Sequence, residues 1–270
     1  MTALKALIFD VDGTLAETER DGHRIAFNQA FVDAGLEWEW SVQEYGQLLE
    51  TAGGKERIYA YMRQQNFLLE EDRGAVKEWI SQLHHRKIAH YKSLLHKGLL
   101  QSRPGILRLL QEARSSRIRL AIATTSALPN VLSLLQTTIA SDSPHWFSLI
   151  AAGDVVAEKK PAPDIYHYVL AELGLSAQDC IVFEDSHQGL RAAHSAGLNT
   201  IVTVNAYTQA QDFTGAALVL NHLGEPDYPC KVLQDPWGYI QEDHPLQRVT
   251  IPWLRDFFHF LTKTQLQHFS

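Results

Sequence analysis

Hydrophobic and polar positions change period twice along this chain. Residues 4–10 hold a short apolar run, Leu7, Ile8 and Phe9, that stops abruptly at Asp10, the pattern of a strand buried on both faces in a parallel sheet. From Ala16 to about Leu95 no second β-branched run occurs. Apolar residues recur there at helical spacing: Ile25, Phe27, Ala30, Phe31 and Val32; Tyr45, Leu48 and Leu49; Ile58, Tyr61 and Met62; Val76, Trp79, Ile80, Leu83, Ile88 and Tyr91. Trp38, Trp40 and Trp79 read as packing inside this lobe.

Alternation then returns. Pro104-Gly105 introduces a helix bearing Ile106, Leu107, Leu109 and Leu110, followed by a strand Arg119–Ala123 that ends in Thr124, Thr125 and Ser126. A helix from Asn130 to Thr137, a strand near Ser148–Ala151 and a helix opened at Lys159–Asp164 come next. The strand Cys180–Phe183 ends in Glu184 and Asp185; the helix Gln188–Ala196 stops at Gly197; a strand Thr200–Val204 and an apolar run Ala217–Leu220 close the series. The region of Pro226 and Pro229 reads as an irregular loop. Trp253, Leu254, Phe257, Phe258 and Leu261 form a stripe that predicts a terminal helix docked on the core.

This order predicts an α/β fold: a doubly wound parallel sheet with a small α-helical domain inserted after the first strand. The expected division is 1–17 with 96–270 for the core, including an extension at 221–270, and 18–95 for the helical insertion.

Composition narrows the partners. Hydrophobic content of 45% and charged content of 20% over 270 residues are those of an ordinary globular chain. A net charge of −7 provides no basic field for nucleic acid, and no apolar run reaches membrane length. Cys180 and Cys230 form no metal spacing or disulfide framework, and the first strand begins too early to leave room for a leader. The expectation is a cytoplasmic protein, or one in an organelle stroma after processing.

The chemistry collects where strands end. Asp10 and Asp12 stand at i and i+2, where two carboxylates repel unless a cation lies between them, and Gly13 follows where the backbone can turn. Ligands of open parallel sheets bind at the carboxyl ends of strands, and four polar sets occupy those ends or the loops beside them: Asp10/Asp12, Thr124-Thr125-Ser126, Lys160, and Glu184-Asp185. They combine acids for a divalent cation, hydroxyls and N–H groups for phosphate oxygens, and a lysine to neutralise charge.

This set resembles the haloacid dehalogenase superfamily of phosphohydrolases, whose D-x-D-x-T motif matches Asp10-Val11-Asp12-Gly13-Thr14, with Thr124, Lys160 before Pro161, and Glu184-Asp185. The insertion matches that superfamily's α-helical cap, and the resemblance covers about residues 4–220. It implies a Rossmann-like core in which Asp10 is the nucleophile, Asp12 the acid and base, and Thr124 and Lys160 bind the transferring phosphoryl group. It further implies Mg²⁺ held by Asp10, the Asp12 carbonyl, Glu184 and Asp185. Dehalogenation is disfavoured, since that branch lacks the second aspartate and the metal.

Three features of the insertion address specificity: Glu19 and His23 just after the catalytic loop, the run Gly53-Gly54-Lys55-Glu56-Arg57, and His84 with Lys87 at i and i+3 on one helix face. They are similar to those of CbbY-type phosphatases, which act on xylulose-1,5-bisphosphate, an inhibitor of the Calvin-cycle enzyme Rubisco. That resemblance implies a small anionic sugar phosphate as substrate, with a second phosphate site lined by the cations Lys55, Arg57, His84 and Lys87. Thr125, Ser126 and Asn130 join the candidate substrate residues. One residue more than the shorter bacterial pattern separates Glu19 from His23. A β-phosphoglucomutase-like transferase and a phosphatase of phosphoglycolate or another small sugar phosphate stay open as alternatives; a non-catalytic phosphate sensor is disfavoured by the complete motif set. A monomer or weak homo-oligomer is expected.

Overall fold

The computed structural model describes residues 3–51, 53–67 and 73–268. The chain divides into two units, Thr18–Leu100 and the paired segments Met1–Glu17 and Gln101–Ser270.

The first unit is helical. A π-helical turn, Thr18–His23, leads into α1 (Arg24–Asp33), followed by α2 (Val42–Leu48), α3 (Gly54–Gln64) and α4 (Arg73–His96). Its core is aromatic. Trp40 is fully buried, with Phe27 and Phe31 at ring-centroid distances of 4.7 and 4.8 Å. Asn28 fixes the Trp40 backbone, donating to its carbonyl at 3.0 Å and accepting from its amide at 2.9 Å. The tryptophans here are packing residues, as expected: Trp38 meets Tyr61 and Trp79 at 5.3 and 5.9 Å. The unit does not end at residue 95: α4 runs through His96, Gly98 turns with φ +63°, and buried Leu100 closes it. The stripe on α4 says where a face is buried; it does not say which turn is last.

The second unit is built on β1 (Ala6–Phe9), α5 (Ile106–Ser115), β2 (Arg119–Thr124), α6 (Leu128–Leu134), β3 (Leu149–Ala152), α7 (Asp164–Leu173), β4 (Cys180–Glu184), α8 (His187–Ser195), β5 (Asn199–Thr203) and β6 (Leu218–Leu220). β7 (Val232–Gln234) and α9 (Ile251–His268) complete it. The sheet order is β3-β2-β1-β4-β5-β6-β7. β1 to β6 pair in parallel, so each strand is covered on both faces and reads as a continuous apolar run. β1 lies in the middle, entirely buried. The order reverses between β1 and β4, and such a switch point opens a crevice beyond the strand ends.

One departure lies in the extension. The sheet is not wholly parallel: β7 pairs antiparallel with β6, in a region that reads from its prolines as a loop. Its three residues carry no periodicity of their own, and the open edge of β6 makes them a strand. The terminal helix docks as predicted, burying Leu254, Phe257, Phe258 and Leu261. It is stapled to α5, whose Glu112 accepts from the Ile251 amide at 3.0 Å. Among the described residues no helix is long and apolar enough to cross a membrane.

Candidate active site

Four adjacent strand ends build the core site. Phe9 and Phe183 stack at 4.7 Å across β1 and β4, and the Asp10 amide continues that pairing by donating to the Phe183 carbonyl at 3.0 Å. Asp10 therefore leaves the sheet beside Glu184. The chain then turns tightly, with the amides of Thr14, Leu15 and Ala16 all directed at the Val11 carbonyl. Gly13 makes the turn possible at φ +85°, and a Cβ there would overlap the Asp185 carboxylate and the Asn205 amide.

The carboxylate oxygens of Asp10, Glu184 and Asp185 lie within 4.8 Å of one another, all three residues buried. Lys160 enters from the loop before α7. Its ammonium donates to Asp10 Oδ1 at 2.7 Å, Glu184 Oε1 at 2.6 Å and the Ala123 carbonyl at 2.8 Å, using all three protons. Tyr166 on α7 donates its hydroxyl to the same Glu184 oxygen, and Asn205 donates Nδ2 to Asp185 Oδ2 at 2.6 Å. Asp12 points elsewhere: Ser126 donates its hydroxyl to Asp12 Oδ2. Thr124 is buried at the end of β2, its hydroxyl accepting from the Ser126 amide at 3.2 Å, while Thr125 is exposed and Asn130 lies half-buried in α6.

Burial dominates the electrostatics. Desolvation pushes Asp10 up to about 8, with Lys160 opposing and Glu184 and Asp12 adding to the rise. Asp185 is likewise held well above the usual carboxylate range by burial and by its Asp10 and Glu184 neighbours. Burial opposes the Lys160 charge, but Asp10 and Glu184 outweigh it and hold the ammonium well above its ordinary value. Three buried acids beside one ammonium cannot all stay ionised without a further cation. The donors are all oxygen, as a hard divalent cation requires, so this cluster fits one.

The helical unit gathers a separate group. Glu19 accepts from the Tyr45 hydroxyl at 2.6 Å, and Tyr45 accepts from Arg57 Nη1 at 2.9 Å. Arg57 is buried and also donates to the Leu48 carbonyl at 3.1 Å. His23 Nδ1 accepts from the Lys87 ammonium at 2.8 Å, and its ring stacks on Tyr91 at 3.9 Å. Glu19 and His23 both lie in the π-helical turn Thr18–His23. His84 packs on Gly54, where a Cβ would overlap its Nε2. Lys55 is exposed, donating to Ser81 Oγ at 3.1 Å, and exposed Glu56 folds back on Gly53.

One expectation changes. His84 is not a cation beside Lys87: burial, then Lys87, Lys55 and Arg57, lowers it to about 4. His23 is also held well below its usual range, by burial and then by Lys87, Arg57 and His84. Both rings are neutral near pH 7, and the positive charge belongs to Lys55, Arg57 and Lys87. A count of basic residues misses this, because burial, and after it the neighbouring charges, decide which rings keep a proton. Tyr166, Asn205 and Arg103 were not legible either: a tyrosine on a buried helix face reads as packing, and an Asn or Arg in a loop reads as solvated.

Comparison with known proteins gives the family. Residues 7–203 match the model of the haloacid dehalogenase-like hydrolases. The chain belongs to that family. The protein CbbY of Cupriavidus necator is 48% identical over 227 residues, which cover 84% of this chain and 88% of that protein. A crystal structure of a CbbY point mutant from Rhodobacter sphaeroides, in complex with xylulose-(1,5)bisphosphate, is 43% identical with a TM-score of 0.68, covering 81% of this chain and 94% of that one. More distantly, a phosphorylated carbohydrates phosphatase of Thermotoga maritima is 29% identical over 201 residues, 74% of this chain and 85% of that protein. This chain shares the fold of the solved CbbY structure from Rhodobacter sphaeroides, and as a member of the haloacid dehalogenase-like family it is a hydrolase.

Proposed function

We propose that this protein is a Mg²⁺-dependent sugar phosphate phosphatase that converts xylulose-1,5-bisphosphate to xylulose-5-phosphate and phosphate through an aspartyl phosphate on Asp10. One observation carries the reading: a buried acid, Asp10, is bonded to a lysine and sits beside two further buried acids at the switch point of the sheet. The Asp10, Glu184 and Asp185 side chains, with the Asp12 carbonyl, would hold the ion. Bound there, it supplies charge that ionises the carboxylates and neutralises phosphoryl oxygens.

The chain's own residues divide the rest. An Asp10 oxygen bonds to phosphorus as the ester P–O bond breaks, and the Asp12 carboxyl delivers its proton to the departing sugar oxygen. Asp12 then takes a proton from the attacking water, whose oxygen bonds to phosphorus and frees Asp10. The Ser126 hydroxyl holds the Asp12 carboxyl in place between the two steps. Lys160 and Thr124 serve the equatorial phosphoryl oxygens, where charge spreads in the transition state.

A bisphosphate needs a second group of donors, and Arg57, Lys87 and Lys55 provide positive charge for it. Neutral His23 and His84 contribute hydrogen bonds, and Glu19, through Tyr45, orients Arg57. The bound bisphosphate of the Rhodobacter sphaeroides relative supports this choice. In that role the protein, cytoplasmic or stromal, clears an inhibitor of Rubisco and so serves the Calvin cycle.

Phosphate release tests the reading. It is measured with xylulose-1,5-bisphosphate, ribulose-1,5-bisphosphate, phosphoglycolate and hexose phosphates, with Mg²⁺ and with a chelator. The first substrate is expected to have the highest kcat/KM and to depend on Mg²⁺. Preference for another substrate ends the xylulose reading and leaves the phosphatase. Conversion of glucose-1-phosphate to glucose-6-phosphate without free phosphate, in the presence of glucose-1,6-bisphosphate, would establish a mutase instead.

A further inference from the structure

Arg103 is buried, and every N–H of its guanidinium has an acceptor. Nη1 donates to the Gly13 carbonyl and to the Thr203 carbonyl at 2.7 Å; Nη2 donates to the carbonyls of Val204 at 2.6 Å and Asn221 at 2.7 Å. Nε pairs with Glu17 Oε1 at 3.0 Å. Five donors thus meet four backbone carbonyls and one carboxylate drawn from three separate stretches of chain. Only the planar fork of arginine presents that many donors in fixed directions, and a lysine has three.

The acceptors are not scattered. Gly13 follows Asp12 and lies in the turn that carries it. Val204 precedes Asn205, whose amide holds Asp185 at 2.6 Å. The Arg103 amide also donates to the Leu15 carbonyl at 2.9 Å, so main chain and side chain grip the same turn from behind. One cation therefore fixes two halves of the site in register, the turn bearing Asp12 and the strand end bearing the partner of Asp185.

We propose that Arg103 is a positioning residue for the hydrolysis, holding the Asp12 turn against the Asn205 segment through main-chain carbonyls without touching the reacting groups. The part played by Asp12 rests on the function proposed above; the tether itself does not. Its charge is neutralised by Glu17, the last residue of the core segment that starts at β1, so the pair closes the turn with no charge left over.

Arg103→Lys keeps the charge and loses the fork. Hydrogen exchange and steady-state kinetics on the full chain read the consequence. The amides of Thr14, Leu15 and Ala16, which point at the Val11 carbonyl, are expected to exchange about tenfold faster, with the β1–β2 ladder unchanged. With p-nitrophenyl phosphate, kcat per folded molecule is expected to fall about 30-fold and KM to stay within about threefold, the cost of a small misplacement. If turn exchange is unchanged, or rises equally across the sheet with kcat intact, Arg103 is scaffold alone and the proposal fails. If the lysine variant does not fold, Glu17→Gln, which leaves Nε a neutral acceptor, must show the same local exchange at smaller amplitude; no local change there also overturns it. Exchange is read without turnover. Wild-type kcat in Asp12→Asn would remove the acid–base role of Asp12 while leaving the exchange result to stand on its own.

Discussion

Lys160 Nζ lies 2.7 Å from Asp10 Oδ1, and both side chains are almost wholly buried. The ammonium is the cation bonded to the acid cluster among the described residues, and its other bonds reach Glu184 and the Ala123 carbonyl. Lys160→Met keeps the length and removes the charge. Phosphate release should fall about 100-fold or more, as for loss of one preorganised charge at a reacting centre. Circular dichroism should show the fold intact, since Asp10 can take up a proton instead. A loss below about threefold would remove Lys160 from the reacting site.

The same burial links metal and pH. Burial pushes Asp10 up to about 8 in the folded chain, against 3.8 for a free side chain, so the folded state binds the extra proton. The metal-free protein therefore has its full share of this stability below about pH 4 and loses it progressively as pH rises through about 8. A divalent cation competes with that proton. The rise in Tm produced by Mg²⁺ should be small at pH 5 and grow towards pH 8, which differential scanning fluorimetry across that range measures. In Asp10→Asn the growth should be much reduced; an equal Mg²⁺ effect at every pH would contradict the linkage.

The relay from Arg57 through Tyr45 to Glu19 makes a separate prediction for the helical unit. Tyr45→Phe removes the bridging hydroxyl and leaves the aromatic packing. kcat/KM for xylulose-1,5-bisphosphate should drop about tenfold, the usual worth of a charge-assisted bond, with p-nitrophenyl phosphate nearly unaffected. Arg57→Ala should do the same more severely. Equal losses on both substrates would detach this network from the second phosphate.

His23 and His84 bring an acid sensitivity of opposite sign to that of Asp10. Both have folded pKa values below the ordinary histidine range, His84 at about 4, so the unfolded chain binds the protons. Stability from this source is present above about pH 6.5 and is lost as pH falls towards 4. Between pH 7 and 4.5 the Tm of the wild type, measured relative to that of His84→Asn, should fall as pH falls. An unchanged slope in that variant would mean His84 keeps its proton in the fold.

What was readable from residue order follows from where each signal lives. Asp10, Glu184 and Asp185 announce themselves because they follow apolar runs at strand ends, and parallel strands bring such ends together; Lys160 announces itself before Pro161 in the loop that opens α7. The insertion was readable from its 3.6-residue period. β7 was not, because an edge strand of three residues exists through its neighbour. Arg103 was not, because its acceptors are main-chain carbonyls about 100 residues away along the chain, at Gly13, Thr203, Val204 and Asn221, and a carbonyl has no letter in the sequence. The neutrality of His84 depends on three cations and on burial, which only the fold assembles.

The central claim is that Asp10 becomes phosphorylated. Rapid mixing with xylulose-1,5-bisphosphate and Mg²⁺, an acid quench within the first turnover, and mass spectrometry of the peptide containing Asp10 test it directly. A phosphoryl adduct on Asp10 that forms before free phosphate appears, and that is absent from Asp10→Asn, is the predicted result. Phosphate release with no adduct at any time, or turnover surviving in Asp10→Asn, would contradict it.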